Sequence, residues 1–215
     1  MTKSRWWVVI GLLLAGGLGV WQFTRPPVRP IQVVIGIDTS GSARPMLSRY
    51  VLEASRLTAH LAPEVDTLTL YRVDEATQEF YRDRVRGGRE ATLRRLLAEV
   101  ARQPAHSSTF PVAFWRTALE RSAAADGPLL LVYFSDGDND DMSGESRAAL
   151  AQLGRELAER PNLMGVALVG VTTANRGYWV RVFGAPLGDR LLLVGADEIR
   201  VDTIIERLEQ RRRFY

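Results

Sequence analysis

Ile31-Gln32-Val33-Val34-Ile35-Gly36-Ile37-Asp38-Thr39-Ser40-Gly41-Ser42 is the stretch from which the fold can be read. Its first half is a short, nearly continuous apolar run, as a strand buried on both faces of a sheet requires. Its second half sets a carboxylate and two hydroxyls, Asp38, Ser40 and Ser42, at alternate positions where the strand runs out. All three offer oxygen, the donor that hard divalent cations such as Mg²⁺ select over nitrogen or sulfur. The stretch reads as a buried strand that ends in a metal site.

Two further segments fit the same reading. A second apolar run, Leu129-Leu130-Leu131-Val132-Tyr133, ends in Phe134-Ser135-Asp136-Gly137, and Ser107-Ser108-Thr109 stands ahead of a helical stretch. In an open α/β sheet, ligands bind outside the carboxyl ends of the strands, so loops far apart in sequence can meet at one rim. Each segment taken alone also reads as a capped turn, because Asp, Ser, Thr and Gly side chains and backbones favour turns and helix caps.

Taken together, the order Asp-x-Ser-x-Ser, then Thr, then Asp resembles the metal-ion-dependent adhesion site of von Willebrand factor type A domains. The resemblance covers roughly residues 31 to 210, and no position of the five-residue pattern is missing. It implies that Ser40 and Ser42 bind the metal through their hydroxyls and that Thr109 joins them directly or through water. Asp38 and Asp136 would act mostly through water and hydrogen bonds. It further implies Mg²⁺, with Mn²⁺ or Ca²⁺ as the other candidates, and an open coordination position that takes an Asp or Glu side chain from a partner protein. Neutral hydroxyl ligands leave a cation undercompensated, which is the physical reason an acid is attracted to it.

The pattern outside the motifs predicts an α/β fold with a doubly wound, mostly parallel central sheet and helices on both faces. Pro45 to Leu61 carries helical apolar spacing, and Thr67 to Val73 alternates as a strand. Gln78 to Arg84 reads as its antiparallel neighbour, the one edge strand that breaks the parallel order. Helices follow at Arg89 to Arg102 and Pro111 to Ala125, then the strand at Leu129. A helix at Glu145 to Glu159 and a strand at Leu163 to Gly170 continue the alternation. Arg176 to Phe183 reads as helical, Arg190 to Val194 as the last strand and Ile199 to Arg212 as the closing helix.

Residues 1–30 differ from the rest. Trp6 to Trp21 is unbroken apolar sequence with tryptophans at its ends, as suits membrane interfaces. As a helix it rises about 24 Å, slightly short of the hydrocarbon core, and flanking residues or local thinning make up the difference. The expected organisation is a basic tail at 1–5, a transmembrane signal anchor at 6–23, a Pro-rich linker at 24–30 and the von Willebrand-type domain at 31–215. Slight positive-inside bias puts the N-terminus in the cytoplasm and the domain in the periplasm or outside the cell. A cleaved secretory signal is the competing reading, with Ala15-Gly16-Gly17 near a cleavage point.

The formal charge of +3 comes from this segment: Lys3, Arg5, Arg25 and Arg29 lie in it without an acid, leaving 24 bases against 25 acids in residues 31–215. A nearly neutral domain argues against nucleic acid as partner. The absence of Cys excludes disulfides, zinc-thiolate sites and cysteine nucleophiles. Asp138, Asp140 and Asp141 crowd the loop after Asp136. They do not make an EF-hand, whose Gly and Glu positions fall on Asp141 and Arg147; they read as solvated, or as tuning the field beside the metal. His60 and His106 are isolated and read as structural, with partner binding as the alternative for His106 because it lies near Thr109. Tyr178, Trp179 and Phe183 read as core or interface packing, with a patch that meets a membrane or partner as the alternative. The Arg82, Arg84, Arg86 and Arg89 cluster and the Arg211-Arg212-Arg213 tail read as solvated surface.

No phosphate-binding loop, nucleophile elbow, zinc-ligand His pair or dinucleotide fingerprint is present. The sequence thus favours a membrane-anchored binding module over an enzyme. The alternative is a metal-dependent, phosphatase-like hydrolase in which the same cation activates water, with Asp38 or Asp136 as base or nucleophile.

Overall fold

The computed structural model describes residues 30–88, 90–102, 108–125, 127–140 and 143–214. The tail at 1–5, the expected anchor at 6–23 and most of the linker lie outside the described residues, as do Arg89, His106, Ser107 and Asp141. Among the described residues no helix is long and apolar enough to cross a membrane.

Six strands form one sheet: β1 (Gln32–Asp38), β2 (Thr67–Val73), β3 (Thr77–Arg84), β4 (Leu129–Phe134), β5 (Leu163–Val171) and β6 (Leu191–Gly195). Their order is β3-β2-β1-β4-β5-β6. Every pairing is parallel except β2 with β3. The composition explains the order. All residues of β4 and β5 are buried, as both-face burial in the middle of a parallel sheet demands, while β3 and β6 have no fully buried residue and sit at the edges.

Helices cover both faces. Against one face pack α1 (Leu47–Ala59), α2 (Glu90–Arg102) and the closing helix α6 (Asp202–Phe214), through Tyr50, Leu57, Leu97, Ile204 and Leu208. The other face holds α3 (Pro111–Ala123), α4 (Gly144–Ala158) and α5 (Thr173–Trp179), through Phe114, Trp115, Leu150, Leu157 and Trp179. Pro111 opens α3 where its missing N–H is not needed, and Ser143 caps α4 by accepting from the Ser146 N–H at 3.0 Å.

Two helix starts lie three residues from expectation, while the other helix starts fall closer. The helix expected from Arg176 begins at Thr173 and runs into a π-helical turn, Val180–Gly184, that aims Val182 and Phe183 into the core. The closing helix begins at Asp202, not Ile199, because the Val201 N–H donates to Glu53 Oε2 (3.0 Å) on α1. That contact spans 148 residues and leaves no trace in the local pattern.

At the amino end of the sheet, buried Asp66 takes the Ile31 N–H on Oδ1 (2.9 Å) and the Ala62 N–H on Oδ2 (2.7 Å). The Gln32 N–H donates to the Pro128 carbonyl at 2.8 Å. The chain therefore comes into β1 at one pole of the sheet and leaves it, at Asp38, at the other.

Candidate metal centre

The strand order reverses direction between β1 and β4, and the crevice at that switch point lies outside their carboxyl ends. Asp38 ends β1, and Ser135 and Asp136 follow β4 directly. Both loops therefore open onto one rim.

Asp38 is fully buried and organises what surrounds it. Its Oδ1 accepts from the Ser40 N–H at 2.9 Å and from Thr109 Oγ1 at 3.3 Å. Its Oδ2 accepts from Ser135 Oγ at 2.7 Å, with the second leg of the Thr109 hydroxyl at 3.4 Å. The Ser40 and Ser42 hydroxyls stand 3.3 Å apart. That spacing suits neighbouring ligands of one cation, about 2.9 Å for Mg²⁺ and about 3.3 Å or more for Ca²⁺ at their usual bond lengths. Asp38, Ser40, Ser42 and Thr109 thus form one linked cluster, although 71 residues separate Thr109 from Asp38.

Asp136 stands beside this cluster, almost fully buried, with Oδ1 accepting the Asp138 N–H at 3.0 Å. Its backbone carbonyl accepts from Thr172 N at 2.9 Å, and the Gly137 carbonyl accepts from Trp179 Nε1 at 2.9 Å. Gly137 has φ +81°, and a Cβ there would meet Trp179 Nε1 at 2.9 Å, so the tight turn after Asp136 is built for glycine. Trp179 is core packing, as expected, and also braces this turn.

The electrostatics are dominated by the burial of Asp38. Burial pushes the Asp38 carboxyl up to about 6, and the nearby Asp136 charge pushes the same way, against the hydrogen bonds from Ser40 and Ser135. Among the described residues no group of three or more His, Cys, Asp or Glu side chains is placed to hold a metal ion. The donors here are mainly hydroxyls held by two carboxylates. Oxygen-only chemistry of this kind fits Mg²⁺, Mn²⁺ or Ca²⁺ and not a soft metal.

Three participants escape sequence reading. Ser135 is the closest side-chain partner of Asp38, yet nothing in the Phe-Ser-Asp-Gly run separates it from an ordinary turn serine. Asp140, expected to be solvated or to tune the field, has a structural task as well. Its Oδ2 accepts the Thr109 N–H at 2.6 Å and its own N–H donates to the Thr109 carbonyl at 3.2 Å, which clamps Thr109 against the loop after β4. Asp74, just beyond β2, is the third: its carbonyl accepts the Phe110 N–H at 3.0 Å and holds the Thr109 loop from the opposite side.

No protein-family model and no curated protein matches this sequence. Solved structures do match. A von Willebrand factor type A protein from Catenulispora acidiphila superposes with a TM-score of 0.62 at 15% identity, over 86% of this chain and 42% of that one. The conserved hypothetical protein BatB from Bacteroides thetaiotaomicron gives 0.58 at 13% identity, and an aerotolerance-related membrane protein from Bacteroides fragilis gives 0.56 at 14%. Each covers 86% of this chain, which spans the whole of both. The chain has the mostly parallel, Rossmann-like fold of von Willebrand factor type A domains, with one antiparallel edge strand and helices on both faces.

Proposed function

We propose that this chain is a metal-dependent protein-binding module of the cell envelope. In this reading a divalent cation sits on the Ser40, Ser42 and Thr109 hydroxyls, with Asp38 and Asp136 orienting the hydroxyls and waters. Its open position takes an Asp or Glu side chain from a partner protein. The observation that carries the proposal is the convergence of oxygen donors from two distant loops on the buried Asp38 carboxylate, at the switch point of the sheet.

The arrangement favours recognition over hydrolysis. Both Asp38 oxygens already accept hydrogen bonds from Ser40, Thr109 and Ser135, which suits this carboxylate to a scaffold role. The envelope setting rests on residues 6–23 as a membrane anchor and on the membrane-protein neighbour from Bacteroides fragilis.

The test is calorimetric titration of Mg²⁺ and Mn²⁺ into the detergent-solubilised chain, with and without a short acidic peptide. Wild type is expected to bind metal and, once loaded, the peptide. Asp38→Ala and Ser40→Ala are expected to lose metal affinity by at least tenfold and to lose peptide capture with it. Metal binding unchanged in both variants, or absent from wild type, would overturn the proposal.

A further inference from the structure

Behind the candidate ligands lies a second layer of buried charge. Thr39 sits between Asp38 and Ser40 in sequence, but its hydroxyl turns away from the cluster. Thr39 Oγ1 accepts from Arg72 Nε at 3.0 Å and donates to Asp74 Oδ2 at 3.2 Å. Arg72 Nη2 completes the triangle with an ion pair to the same Asp74 oxygen at 2.7 Å. Both side chains are nearly sealed from water, at 9% and 3% exposure, an unusual placement for a guanidinium and a carboxylate. The other Asp74 oxygen accepts the Ala76 N–H at 3.0 Å and closes the turn between β2 and β3. Its backbone carbonyl holds the Phe110 N–H, one residue beyond Thr109.

Asp74 is thus joined to the Asp38–Ser42 loop through Thr39 and to the Thr109 loop through Phe110. Those loops carry the three candidate hydroxyl ligands, Ser40, Ser42 and Thr109, so one buried carboxylate braces both. Outer hydrogen-bond partners of this sort orient metal ligands, and their loss typically weakens metal binding about 10- to 100-fold. A guanidinium fork also fixes direction, since Nε and Nη2 must meet Thr39 and Asp74 together, which a lysine ammonium cannot do.

We propose that Arg72 and Asp74, acting through Thr39, are positioning residues that set the affinity of the metal centre. The inference rests on the proposed metal site and adds residues that the five-position pattern does not contain. It also makes a signed prediction. If Arg72 acted only by its charge, near a site that binds a cation, removing it would tighten metal binding. As a positioning group, its removal weakens binding.

The experiment measures Mn²⁺ affinity of the whole chain in detergent by calorimetry, and the symmetry of bound Mn²⁺ by its paramagnetic resonance spectrum. The variants are Arg72→Met, Arg72→Lys and Thr39→Val, each checked for native packing by near-ultraviolet circular dichroism. Thr39→Val removes the hydroxyl at little change of shape and no change of charge, so it decides the matter if the arginine variants do not fold. The expected result is at least tenfold weaker Mn²⁺ binding in all folded variants, with an altered spectrum. Wild-type affinity in folded Thr39→Val, or tighter binding in Arg72→Met, overturns the positioning role and leaves the metal site standing. Absence of Mn²⁺ binding by wild type overturns both.

Discussion

A carboxylate sealed from solvent is costly to ionise, and Asp38 makes that cost measurable. Its folded pKa of about 6 stands above the ordinary value of 3.8 because burial outweighs its hydrogen bonds. Below pH 3.8 both folded and unfolded chains hold the proton, and the group is neutral to stability. Between pH 3.8 and about 6 the unfolded chain releases the proton first, so stability falls as pH rises, by about 3 kcal/mol in total. Urea unfolding in chelator is therefore expected to show wild type losing about that much between pH 4 and 7 relative to Asp38→Asn. Parallel pH profiles for the two proteins would contradict it. At this scale the sequence is legible where ligands share one short segment, as Asp38, Ser40 and Ser42 do. The hydrogen-bonding tasks of Ser135, Asp140 and Asp74 are not legible in the sequence because they depend on which loop lies opposite, and that is a property of the assembled sheet.

Elements were legible to the extent that periodicity governs them. The strands were readable because a strand covered on both faces must be apolar throughout, and the 67–73 and 77–84 pair because alternation and a turn mark a sheet edge. Where a distant side chain ends an element, local pattern misleads, as at α6. Glu53 of α1, itself held by Arg56 Nη1 at 3.0 Å, takes the Val201 N–H and moves the helix start to Asp202. Arg56 reaches on to Asp202 Oδ1 at 2.7 Å, so α1 and α6 are joined at this corner by a chain of charges. Glu53→Ala is expected to cost about 2 kcal/mol, the scale of a lost hydrogen bond to a charged group. The loss should be local: amide exchange in α6 should quicken by an order of magnitude while β4 and β5 keep their protection. Uniform acceleration would instead assign Glu53 to global stability.

For the whole molecule, the two poles of the sheet carry different duties. The donor cluster occupies the carboxyl-end pole, whereas Pro30 lies at the amino-end pole, the side from which the proposed tether would run. Seven residues of β1 separate them, roughly 23 Å at a strand's usual rise. A partner held at Ser40 and a membrane holding Pro30 would pull on the two ends of one strand. That strand is laddered to β2 on one side and β4 on the other, in parallel register along its length. Tension along its axis loads those hydrogen bonds together in shear, and none can be opened singly from an end. Single-molecule pulling from residue 30 against a bound partner should accordingly end in detachment at the rim before any unfolding step; unfolding first would contradict it. The strand that delivers Asp38 to the site is, mechanically, also the tie rod that would let a tethered domain hold its partner under load.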